Sequence, residues 1–390
     1  MPPIIRPEAK RLGVAHILET HIVDYQRQYP LWPRHRKIVY DLLNCRTEYL
    51  GGHIDRCDRC GALRIAYHSC RNRHCPTCQH MPRERWLAKR KREILSTRYF
   101  HVVFTLPHAL NPIVLNNKKV MLTILFKAAS RTLLTFGENT LGGKLGFIAT
   151  LHTWDQKLNA HFHVHCLVAG GAVLSDNSRW IPCKGNYLFN ARALSLVFRG
   201  KFMERMKKAC QALKLAEHDF KPLKARLYGK PWIVDVRDPV NNPEHVLEYL
   251  ARYTHRVAIA NSRIRVLKDG MVTFSFKNRR KERTEALTIT AVEFIRRFLL
   301  HSLPKRFVRI RHYGFLANRY RSTNLAAIRR LMALPEPSDA PVTPVERLLR
   351  QLTGIDITVC PCCQKGKMHL FRKIPKGVAR PPNPLAYAAA

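Results

Sequence analysis

Three histidines occupy alternate positions in the run His161-Phe162-His163-Val164-His165. Side chains alternate across a β-strand, so the three imidazoles share one face and Phe162 and Val164 take the other. Same-face neighbours stand about 7 Å apart along the backbone, near enough for two imidazoles to converge on one cation. Imidazole suits Mn²⁺ or Zn²⁺, and Mg²⁺ is held where phosphate oxygens complete its shell. His152, Asp155 and Gln156, just upstream, are candidates for extra ligands or for groups that hold the ligands in place. Tyr249 and Tyr253 lie four apart in a segment patterned as a helix, on one face and about 6 Å apart at Cβ. A phenol can attack a phosphodiester and remain bonded to it. With a pKa of about 10 it is a weak nucleophile, a deficit that a cation polarising the phosphate offsets. Arg252, His255 and Arg256 share that helix and could hold a DNA backbone. Alone, a Y-x-x-x-Y pair reads as amphipathic packing. Beside a histidine strand it reads as chemistry.

The chain has twelve cysteines, six of them between Cys45 and Cys78 and three between Cys360 and Cys363. Such clustering argues for metal rather than for a disulfide framework. Cys57-x-x-Cys60 and Cys75-x-x-Cys78 are two knuckles whose spacing predicts one tetrathiolate Zn²⁺ site. Cys45, Cys70, His53 and His74 are candidates for a second site or for exchange with those four. His53, His68 and His74 read equally well as surface or phosphate-contacting residues. Cys360-Pro361-Cys362-Cys363 is a half-site, completed by His369 or left as loose thiols in a tail. Cys166, Cys183 and Cys210 read as plain thiols. Arg56, Arg59, Arg71 and Arg73 surround the knuckles, as in a zinc-pinned module for duplex or hairpin DNA. Arg309, Arg311, Arg319 and Arg321 form a further basic group, either touching phosphates or making a solvated face.

Charge names the partner class. Lys and Arg total 68 against 27 Asp and Glu, a net +41 spread over 390 residues. A folded chain this basic repels itself unless a polyanion neutralises it, and nucleic acid does so without sequence reading. An anionic membrane is the lesser option, since no lipid-insertion helix stands out. No apolar run approaches the ~18 residues of a bilayer span and the first residues lack a signal-peptide core, so the expectation is a soluble, cytoplasmic protein with no membrane partner. No G-x-x-x-x-G-K-[ST] or G-x-G-x-x-G occurs, so no nucleotide cofactor is expected.

The elements that must position these groups follow from periodicity. Residues 99–106, 146–154, 161–171 and 231–236 read as strands, and 118–136, 191–213, 242–258 and 289–303 as helices. Residues 263–276 alternate about Asp269-Gly270 and read as a hairpin. Strands and helices alternate irregularly, which predicts an α+β fold with a mainly antiparallel sheet flanked by helices. The expected divisions are a zinc-binding, DNA-binding domain over 1–92, a catalytic domain over 93–333, and a proline-rich linker and tail over 334–390.

Four blocks together resemble the HUH-type transposases of the insertion sequence 91 family. They are CDRCGALRIAYHSCRNRHCPTCQ (57–79), LHTWDQKLNAHFHVHCLVAGG (151–171), EYLARYTHRVAIANSRI (248–264) and RIRHYGFLANRYR (309–321). The resemblance implies an N-terminal zinc-binding module and a central antiparallel sheet carrying the histidines. It implies a metal pair of two histidines flanking one hydrophobic residue. Both 161/163 and 163/165 fit by spacing, and the second is preferred because the apolar run CLVAGG follows it. The family shows proline where Phe162 stands, which leaves His161 as a third ligand or as a support behind the pair. Tyr249 and Tyr253 match the family's nucleophiles. The implied activity is nicking and joining of single-stranded DNA at transposon ends, and at target DNA, through a 5′-phosphotyrosine with Mg²⁺ or Mn²⁺, as in rolling-circle transposition. The alternatives are a non-catalytic zinc-dependent DNA-binding protein, a replication-initiator or relaxase type of nickase, and a water-activating hydrolase with no need of the tyrosines.

Overall fold

A computed structural model describes residues 3–6, 12–240, 245–246, 257–278, 281–335 and 345–377. The chain divides into two compact units: residues 1–82, 257–302 and 339–390 make the first, and 83–256 with 303–338 the second. This division differs from the one expected along the chain. Residues 257–302 and the C-terminal residues join the first unit because each pairs or packs with its N-terminal elements.

In the first unit the helix Val14–Gln28 packs on the helices Pro33–Leu43 and Ala291–Leu300. Ala291–Leu300 begins where sequence places it, since the Thr290 side chain accepts from the Glu293 backbone N–H at 3.2 Å. Its apolar residues Phe294, Ile295, Phe298 and Leu299 are buried. The expected hairpin is present as Ile264–Lys268 and Met271–Asn278, turned by Asp269 and Gly270, both at positive φ. A third strand, Arg283–Thr290, completes that sheet. A second sheet has the order Ile4–Ile5, Leu63–Tyr67, Gly52–Cys57, Met368–Ile374. Its last strand comes from the segment that sequence set apart as a tail.

In the second unit a six-stranded sheet has the order Ile310–Gly314, Lys144–Trp154, Ala160–Val173, Tyr99–Thr105, Val234–Val240, with Trp180–Pro182 beside Ala160–Val173. Every pairing in it is antiparallel. Period-two alternation sorts its side chains. Phe100, Val102, Phe104, Phe147, Ala149, Leu151, Phe162, Val164 and Cys166 face the main core, which the helices Lys118–Leu141 and Ala191–Lys208 cover. Tyr99, Ile148, Leu167 and Ala169 face the other way, into a smaller cluster with Phe315, Leu316 and Val246. The Gly170-Gly171 pair has a packing reason: a Cβ on Gly171 would strike the Trp180 ring.

By length and composition Lys118–Leu141 could cross a bilayer, which the sequence reading did not expect. Its apolar window is 61% buried within the protein, and those side chains pack on the sheet. The strand expected at 231–236 lies at Val234–Val240, and the helix expected over 191–213 breaks at Ala209 into Ala191–Lys208 and Cys210–Leu213.

Candidate functional site

Strand register sets the geometry of the histidine face. His163 stands opposite His152 on one side and Thr105 on the other, and His165 stands opposite Thr150 and Val103. Directly paired residues share a face, so His152 joins the strand histidines. One ring nitrogen from each of His152, His163 and His165 lies within 4.8 Å of the other two. His161 lies outside this group: its Nδ1 is 3.1 Å from Nε2 of His108. Cross-strand neighbours are about 5 Å apart at Cβ, closer than same-face residues along one strand, which is why His152 takes the third place rather than His161. The rings of 161/163 and of 163/165 are each 4.7 Å apart between centroids, and the 163/165 pair is the one that groups with His152.

Both strand histidines are held at Nδ1. That of His163 is 3.0 Å from the His161 carbonyl oxygen, and that of His165 is 2.7 Å from Nε2 of His101. Partners of this kind orient metal-binding imidazoles. Trp154 stacks on His152 at 5.1 Å between ring centroids. Burial, then the neighbouring His152, His163 and His101 and the Arg237 cation, holds His165 well below the usual histidine range, so it is neutral and able to coordinate at physiological pH. Three imidazoles on one strand pair suit a divalent cation with open positions left for oxygen ligands. Asp155, a candidate ligand, is occupied with the turn: it accepts from the backbone N–H of Lys157 and of Asn159, each at 2.8 Å. His101 and His108 had no sequence signal beyond their own identity. Their pairing with His165 and His161 needed the register of Tyr99–Thr105.

Tyr249, Tyr253, Arg252, His255 and Arg256 lie outside the described residues. Val246, three residues before Tyr249, is described: it is helical and fully buried against the cluster of Ile148 and Leu167. Leu167 is the next residue after His165 on the same face of the same strand.

The thiols divide differently from the spacing-based expectation. Cys75 and Cys78 group with Cys45 and Cys70, whereas Cys57 and Cys60 group with Cys360 and Cys363. In the first group the Sγ separations are 3.4 Å for Cys70 and Cys78, 3.7 Å for Cys45 and Cys75, and 3.9 Å for Cys45 and Cys78. A Zn–S bond of about 2.3 Å gives a tetrahedron with edges of about 3.8 Å, so these thiols fit one Zn²⁺. His53 and His74 are not in either group: His53 is 3.7 Å from Asp55, and the His74 N–H donates to Asn72 Oδ1 at 2.9 Å. His369 sits 3.6 Å from Asp58 rather than completing a half-site. A missed signal is arithmetic: three CxxC pairs plus Cys45 and Cys70 make eight thiols, enough for two sites.

The candidate DNA-binding arginines separate by environment. Arg71 is exposed, and Arg73 is partly buried, with burial and the neighbouring Arg34 lowering its pKa. Arg311 is stacked 4.1 Å from the Phe126 ring centroid and 5.1 Å from that of Phe307, and its Nε donates to the Val308 carbonyl. Arg309 is half-buried, and its carbonyl accepts from Leu151 N–H at 2.9 Å. Arg321 pairs with Glu93 at 3.2 Å, next to Arg90. Arg319 is exposed over Tyr320. Arg311 and Arg321 are thus engaged within the second unit, and Arg71 and Arg319 face solvent.

Residues 146–324 match a family model described as "Putative transposase", and residues 17–106 match one described as "Transposase zinc-binding domain". The chain is 43% identical over 388 residues to "Putative transposase y4qJ" of Sinorhizobium fredii, covering 95% of this chain and 97% of that one. It is 26% identical over 339 residues to the transposase for insertion sequence element IS801 of Pseudomonas savastanoi pv. phaseolicola, covering 83% and 80%. The conjugative relaxase TrwC in complex with oriT DNA aligns over 39% of this chain and 68% of its own, at 13% identity and a TM-score of 0.24, too slight a likeness to bear on mechanism. On the strength of that near full-length relative and the two domain matches, the chain belongs to the insertion sequence 91 family of transposases, enzymes that act on DNA.

Proposed function

We propose that this transposase nicks and rejoins single-stranded DNA at transposon ends through a phosphotyrosine, on the histidine-bearing face of the sheet. The observation that carries the reading is a coincidence of place. His152, His163 and His165 converge on that face, and Val246 is buried on it beside Leu167. In the sequence Tyr249 and Tyr253 stand three and seven positions after Val246, a spacing whose periodicity reads as one helix face. That spacing supports the assignment of the chemistry to these two phenols.

The chemistry follows from the groups. The phenol oxygen of one tyrosine attacks the scissile phosphorus. The P–O3′ bond breaks, the 3′ oxygen leaves and takes up a proton, and the 5′ phosphate stays bonded to the tyrosine. A 3′-OH then displaces the tyrosine in the reverse exchange, so bond count is conserved and no nucleotide energy source is needed. Two tyrosines allow one to hold an end while the other accepts the second strand. His152, His163 and His165 would hold a Mg²⁺ or Mn²⁺, which supplies charge stabilisation at the phosphate when bound. His101 and the His161 carbonyl would hold the rings of His165 and His163 in place for it through their Nδ1 contacts. The zinc-binding module and the net +41 supply affinity for DNA backbones.

The test is a denaturation-resistant adduct between the protein and labelled single-stranded DNA bearing a matched transposon end, with Mn²⁺ or Mg²⁺ present. Tyr249→Phe combined with Tyr253→Phe abolishes it on this reading. An adduct that survives the double change assigns the nucleophile elsewhere, and cleavage without any adduct points to activated water instead.

A further inference from the structure

We infer that Cys57, Cys60, Cys360 and Cys363 bind a second Zn²⁺, and that this ion is a clasp fastening the C-terminal strand Met368–Ile374 onto the N-terminal sheet. The family match to a zinc-binding domain ends at residue 106, so half of these ligands lie outside it. Sγ of Cys57 is 3.8 Å from Sγ of Cys363, and Sγ of Cys60 is 3.7 Å from Sγ of Cys360. These are tetrahedron edges for a bound ion and far longer than the ~2.05 Å of a disulfide. Four sulfur donors select zinc among common divalent ions.

Both halves are knuckles shaped by the backbone. Cys57-x-x-Cys60 turns through Gly61 at positive φ, with Gly61 N–H donating to the Cys57 carbonyl at 3.2 Å. In the second knuckle Cys360 N–H donates to the Gly366 carbonyl at 2.8 Å, and Gly366 N–H donates to Sγ of Cys363 at 3.3 Å. Gly366 must lack a side chain, since a Cβ there would collide with Sγ of Cys57. Asp58 in turn accepts from Lys367 N–H at 2.8 Å. The knuckles therefore interlock around the sulfurs.

The strand needs such an anchor because it buries little. Its five central residues are exposed, Leu370 at 59% and Phe371 at 56% among them. Apolar burial near 25 cal/mol per Å² offers such a strand little, so edge pairing alone must repay closure of a loop of about 300 residues. The small cluster of Cys57, Ala62, Cys360, Cys363, Ile5 and Met368 gathers at the thiols, where the strand begins.

Native mass spectrometry of the full chain purified with Zn²⁺ tests the inference. With His163→Ala present throughout to take the imidazole set out of the count, two zinc ions per chain are expected, and one when Cys360→Ser and Cys363→Ser are added. In that variant Cys57 and Cys60 become as open to alkylation as Cys362, while Cys45, Cys70, Cys75 and Cys78 stay protected, and protease cuts appear after residue 345. Two zinc ions in the variant, iron in place of zinc, or continued protection of Cys57 and Cys60 overturns the clasp. Should the variant misfold, chelator titration of the unaltered chain decides the matter: Cys57, Cys60, Cys360 and Cys363 must lose protection as one group. Release of Cys57 and Cys60 together with Cys75 and Cys78 contradicts it.

Discussion

The histidine face and the thiol groups are both sets of metal-type donors, yet the chain assembles them in opposite ways. His163 and His165 are two residues apart, and His152 arrives across a tight turn capped by Asp155. One hairpin builds that set. Cys57 and Cys60 instead meet Cys360 and Cys363 across about three hundred residues, through pairing of Met368 with Cys57. A set held by one hairpin is pre-shaped by its sheet, so it keeps its geometry at little entropic cost. A set drawn from the two ends of the chain depends on the ion to hold those ends together.

The largest expected effect separates the two sets directly. His163→Ala should lower Mn²⁺ affinity at least 100-fold by calorimetry, while His161→Ala, outside the converging group, changes it less than threefold. Equal losses from both would return His161 to the ligand set. Next, stripping zinc with a chelator should leave Mn²⁺ binding intact within about twofold, since the sheet and not the thiols shapes the imidazoles. Parallel loss of both metals would show one coupled centre. A smaller effect is expected at His101, which touches His165 but belongs to no converging group. His101→Ala should cost about tenfold in Mn²⁺ affinity, partly restored by His101→Asn, whose amide can still bond Nδ1.

The smallest effect concerns stability of the first unit away from any metal. Glu293 sits in the first turn of Ala291–Leu300, and hydrogen bonds from Arg296 and Arg297 hold its carboxyl down at about 2. A depressed carboxylate stabilises the fold above its unfolded value of about 4.5, and the gain is lost as pH falls from there toward 2. Glu293→Gln should therefore cost about 1 kcal/mol at pH 7, allowing for solvent screening, and nothing near pH 2 in thermal or denaturant unfolding.

What sequence made legible follows the same contrast. The alternation of Phe162 and Val164 against His163 and His165 is local, and the sheet keeps it. The Asp269-Gly270 turn and the Thr290 cap are local too. His101 became visible only through the register of Tyr99–Thr105 against Ala160–Val173, which no spacing rule encodes. The thiols misled because CxxC fixes two ligands of a site and says nothing about the other two. Nearness in sequence favoured Cys75 and Cys78 as partners of Cys57, whereas strand pairing chose Cys360 and Cys363. The phosphate role expected of Arg311 overlooked its stacking on Phe126, a contact between residues nearly two hundred apart.

In the proposed function a phenol from Tyr249 or Tyr253 bonds to DNA at the imidazole face. Peptide mapping by mass spectrometry of the product trapped with Mn²⁺ and end-bearing single-stranded DNA tests it most directly. The expected product is a nucleotide-bearing peptide with the mass addition on Tyr249 or Tyr253, absent when His163 is alanine. A mass addition on any other residue, or one indifferent to His163, would contradict it.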